Sequence, residues 1–88
     1  MKRYVVRLLG EGISLHVDEA GVAVGFYTTR SVLAKDEYHA IEKVRDVVLA
    51  EWLDGDLARL NSGGLPALSV DVVGRAGLFR GFLRRSGG

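Results

Sequence analysis

The chain has 88 residues, 48% of them apolar and none a cysteine, so it makes one domain with enough apolar material for a core but no disulfide, iron–sulfur cluster or cysteine nucleophile. With only His16 and His39 as histidines, far apart and without motif spacing, a structural zinc site is excluded as well. The net charge of +1 hides a split: residues 36–56 carry seven acids against Lys43 and Arg45, whereas 74–88 carry Arg75, Arg80, Arg84 and Arg85 and no acid.

Residues 3–9 alternate, with Tyr4, Val6 and Leu8 to one side and Arg3, Val5 and Arg7 to the other, as a half-buried strand does. Gly10-Glu11-Gly12 reads as a turn, and Ile13, Leu15 and Val17 against Ser14, His16 and Asp18 read as a second strand, so the two runs are expected to form a hairpin. After a turn at Asp18–Gly21, residues 22–34 make a long third strand rich in β-branched and aromatic residues. Val22, Val24, Phe26, Thr28, Val32 and Ala34 share a face on which Arg30 also falls. An arginine there must lie beyond the helix edge, or a bulge near Thr28-Thr29 must reverse the register.

Asp36 is the expected N-cap of a helix over 37–53, with Gly55 just past its end and an apolar stripe of Ile41, Val44, Val48 and Trp52. Asp56 caps a further turn through Leu57 and Leu60, ended by Asn61-Ser62-Gly63-Gly64. Beyond Pro66, Leu68, Val70 and Val72 inward with Ser69 and Asp71 outward predict a fourth strand. The expected fold is therefore α+β, an antiparallel four-stranded sheet with one long helix on one face (β-β-β-α-β). Residues 1–73 form the core, and 74–88 form a basic amphipathic tail whose most regular state is a short helix broken by Gly77 and Gly81.

Chemistry is sparse. Asp54-Gly55-Asp56 starts like a calcium loop, but Arg59 and Leu60 follow where oxygen donors are needed. Neither Gly10-Glu11-Gly12 nor Gly74-Arg75-Ala76-Gly77 sits between a strand and a helix as a phosphate loop does. No set of residues supplies a nucleophile with its base, so neither an enzyme nor a cofactor, metal or small-molecule substrate is expected. The start, Met1–Arg7, leads into no unbroken apolar run, and no stretch nears the ~20 apolar residues of a membrane span, so a cytoplasmic protein is expected.

Two resemblances add to this. The stretch Gly25-Phe26-Tyr27-Thr28-Thr29-Arg30, with Val32, Ala34, Asp36 and Ala40, resembles one shared by small uncharacterised bacterial proteins, and it implies no function. The element order, with a helix ending Glu51-Trp52-Leu53, is similar to the HicB-type antitoxin module, a small domain that neutralises an RNA-cleaving toxin. The proline-containing loop that usually precedes the helix in that module is absent here, and no DNA-binding extension is expected. The resemblance implies an interaction module and identifies no site.

The expected function is thus protein–protein contact, in a homodimer or with a partner, through an uncovered sheet face. The candidate binding residues are Arg3, Arg7, Tyr27, Thr29 and Arg30, with Arg80, Phe82, Arg84 and Arg85 of the tail. The alternative is a nucleic-acid-binding module using the same arginines. It is weakened because sheet-based RNA binders stack bases on two or three aromatics and this face offers one.

Overall fold

The computed structural model describes residues 1–77 apart from 18 and 20. In chain order they form β1 (Lys2–His16), β2 (Val22–Ala34), α1 (Glu37–Asp54), α2 (Asp56–Leu60) and β3 (Ala67–Arg75). The sheet has three strands in the order β2-β1-β3, and both neighbours run antiparallel to β1.

The expected four-stranded β-β-β-α-β sheet is therefore corrected to three strands, because the hairpin over residues 3–17 does not exist. Those residues are one continuous strand. Gly10-Glu11-Gly12 does not reverse the chain but carries a β-bulge. Pairing runs unbroken from Lys2↔Ala34 to Glu11↔Gly25, then slips and resumes at Leu15↔Ala23. Gly12, at φ 89°, takes the left-handed backbone that the bulge needs and a side chain disfavours. The slip also changes which residues face inward, from Tyr4, Val6 and Leu8 before it to Ile13 after it. Alternation alone could not distinguish a bulge from a turn, since both reset the period.

The end of β1 has a second partner. The segment after α2 docks on it: the Ser14 backbone N–H donates to Asn61 Oδ1 (2.9 Å), and the Ser62 N–H donates to the Ser14 carbonyl (2.9 Å). A Cβ on Gly63 would lie 2.7 Å from the Ser14 backbone nitrogen, so only glycine allows this approach.

α1 forms where expected. Asp36 accepts the His39 N–H (2.8 Å), and the Gly55 N–H closes the last turn on the Glu51 carbonyl (3.1 Å). Ala40, Val44, Val48 and Trp52 are buried along its inner face, whereas Ile41 is only half-buried. They meet Tyr4, Val6, Leu8, Ile13 and Ala34 of the sheet in one core. No helix among the described residues is long and apolar enough to cross a membrane.

β3 is irregular in the same way as β1. Its pairing passes from Arg7↔Val72 to Leu8↔Val70, leaving Asp71 as an extra residue. Val72, expected inward, consequently stands opposite Arg7 on the uncovered face, and Val73, which unbroken alternation would turn outward, packs against the core.

Candidate interaction surface

Residues directly opposite in an antiparallel pair share a face, so the register assigns every strand side chain. On the face without the helix, Arg3 lies opposite Leu33, Val5 opposite Ser31, Arg7 opposite Thr29 and Val72, and Leu9 opposite Tyr27. Arg3, Arg7, Tyr27 and Thr29 are thereby brought together as expected. Val5, Leu9 and Val72 are half-buried between them, while Tyr27 and Leu33 are exposed.

The arginines of this face are engaged within it. Arg3 Nη1 donates to Ser31 Oγ (2.9 Å). Arg7 is central: its Nε is 3.6 Å from Asp71 Oδ2, and its guanidinium carbon is 4.7 Å from the Tyr27 ring centroid. Its Nε is buried with no hydrogen-bond partner among the described residues, because 3.6 Å is too long for one. The bulge at Asp71 is what sets this carboxylate beside Arg7. The guanidinium lies over the ring, where the negative quadrupole attracts it, worth about 0.5–1 kcal/mol at an exposed site.

Arg30 is not part of this surface. No bulge interrupts β2 near Thr28, so Arg30, opposite Val6, points to the helix side at the sheet's margin. There Nη1 and Nη2 donate to the two Glu51 carboxylate oxygens (2.8 and 2.7 Å), and Nε donates to Thr28 Oγ1 (3.1 Å). Periodicity alone does not single out Glu51 as its partner. The available signal was its position immediately before Trp52, on the flank of the helix stripe. Arg80, Phe82, Arg84 and Arg85 lie outside the described residues.

The Arg30 hydrogen bonds, aided by charge attraction and opposed by partial burial, hold the Glu51 carboxyl below its ordinary pKa; the same bonds raise Arg30. A lowered carboxyl pKa stabilises the fold above the unfolded-state value, near ~4.3, and that contribution fades as pH falls through the folded value. The side chains are 38% and 40% exposed, so solvent screening limits the pair to about 1 kcal/mol or less. Glu51→Gln should lower the urea-unfolding free energy by that much near pH 7 and by almost nothing at about pH 2. An equal loss at both pH values would mean that packing, not charge, is what Glu51 contributes.

Beside this pair is a cleft of about 270 Å³ between the β2 margin and α1. Phe26 and Trp52 stack in its floor with ring centroids 5.1 Å apart, and Ile13, Leu15 and Leu57 complete its apolar wall. Among the described residues, no three His, Asp or Glu side chains gather as metal ligands. His39 sits in the helix cap and His16 is exposed at the end of β1. No family model, curated protein or solved structure matches this chain.

Proposed function

We propose that the chain is a non-enzymatic interaction module that self-associates and presents its uncovered sheet face to a protein partner. The observation that carries this reading is the composition of that face. Half-buried Val5, Leu9 and Val72 with exposed Tyr27 and Leu33 surround two arginines, and tyrosine and arginine on an apolar ground are the side chains that protein interfaces favour. The engagement of Arg7 with Asp71 and Tyr27 favours a protein partner over nucleic acid, which needs free cations for phosphates and more than one stacking ring.

The test is a titration of the purified chain against labelled single-stranded RNA and duplex DNA at about 50 and 200 mM salt, with mass by light scattering on the same sample. The expected result is no saturable binding and a mass above the 9.5 kDa of one chain. Tight binding that weakens roughly 100-fold between those salt concentrations, as four phosphate contacts would require, would replace this reading with the nucleic-acid one.

A further inference from the structure

The two edges of the sheet are guarded very differently. On β3, the Asp71 bulge interrupts the ladder, a charged side chain stands at the bulge, and Arg45 Nη2 of α1 donates to the Leu68 carbonyl (2.9 Å). These are the devices by which edge strands avoid pairing. On β2, 13 residues run without proline, acid or lysine, at ~3.3 Å per residue an edge of about 40 Å. Its one charge, Arg30, is folded onto Glu51, and no strand among the described residues pairs its outer edge. Near its end it is touched by α1, where Lys43 Nζ donates to the Leu33 carbonyl.

We infer that β2 pairs antiparallel with β2 of a second copy, joining two three-stranded sheets into one continuous sheet; this rests on the self-association proposed above. The sequence of β2 is suited to meeting itself. Full overlap of Val22–Ala34 puts Thr28 on the two-fold axis, Arg30 opposite the partner's Phe26, Val32 opposite the partner's Val24 and Ala34 opposite the partner's Val22. No like charges meet, because Arg30 is the strand's one charge and lies opposite the partner's Phe26. Because the axis stands perpendicular to the sheet, both helices lie on one side, and the two Phe26–Trp52 clefts face each other across the junction. The opposite side becomes one uncovered surface carrying two sets of Arg3, Arg7 and Tyr27, still open to a partner.

The experiment combines light scattering over a concentration series with amide hydrogen exchange on the full chain. Successive N–H groups in a strand point to opposite sides, so in a single copy alternate β2 amides face solvent. On dimerisation those amides should slow by about tenfold or more. Thr28→Pro and Thr29→Pro are made in parallel, since one of the two removes only an outward-pointing donor and leaves the β1–β2 ladder whole. The variant that keeps the wild-type circular dichroism should run as a monomer. A wild-type dimer in which alternate β2 amides still exchange freely would overturn edge pairing and leave self-association standing, whether or not either proline variant folds. A dimer that survives in the folded variant would do the same. A monomeric wild type at several hundred micromolar would overturn both.

Discussion

Replacing Trp52 with alanine should cost about 3–5 kcal/mol, because the indole is both the largest buried side chain on α1 and part of the floor of the cleft. It is 5% exposed and stacks on Phe26 with the rings 20° from parallel. Truncation removes the burial of a large aromatic surface, breaks the stack, and leaves a hole that Val48 and Leu57 cannot fill from their backbone positions. For a domain of this size total stability is roughly 4–13 kcal/mol, so the loss is a large share of it. In a thermal melt followed by circular dichroism the midpoint should fall by about 12 °C or more. Trp52→Phe, which keeps a ring against Phe26, should recover most of the difference. A fall of only a few degrees for the alanine variant would mean that Trp52 does not hold α1 to β2.

Gly10→Ala should cost about 1–3 kcal/mol. A Cβ at Gly10 would lie 2.3 Å from both Cε1 and Cζ of Phe26, directly opposite on β2. A flexible side chain would swing away, but this ring is held between the Gly10 backbone and Trp52, so relieving the clash disturbs the stack. The double-mutant cycle gives the diagnosis: Phe26→Leu should cost less in the Gly10→Ala background than in the wild type, by about 0.5–3 kcal/mol. Gly74→Ala is the control, since a Cβ there meets nothing within 4 Å and the change should stay within about 0.5 kcal/mol. Equal costs at Gly10 and Gly74 would show that the Phe26 ring does not decide the loss.

The role of Gly10 bears on the fold itself. Its aromatic cover lets β1 run on past residue 10 in strand form, where a glycine pair in the sequence suggested a reversal. Gly12 bends the strand and Gly63 admits the α2–β3 segment against that bend. Together they turn what looked like a hairpin into one long central strand with a partner on each side.

The parts of this protein that local chemistry determines were legible in the sequence. The α1 cap at Asp36, its end at Gly55, its inner stripe, and the long β2 each follow from periodicity and capping within a few residues. The grouping of Arg3, Arg7, Tyr27 and Thr29 also follows, because no bulge intervenes between those positions. What only the tertiary structure decided concerns strand count, facing beyond a bulge and long-range partners: β1 as one strand, Val72 and Val73 exchanging faces, Asp71 beside Arg7, and Glu51 as the partner of Arg30. A bulge changes the facing of every residue after it, yet its stability comes from long-range contacts, here the Phe26 ring over Gly10 and the Asn61 side chain on Ser14, which no local pattern encodes.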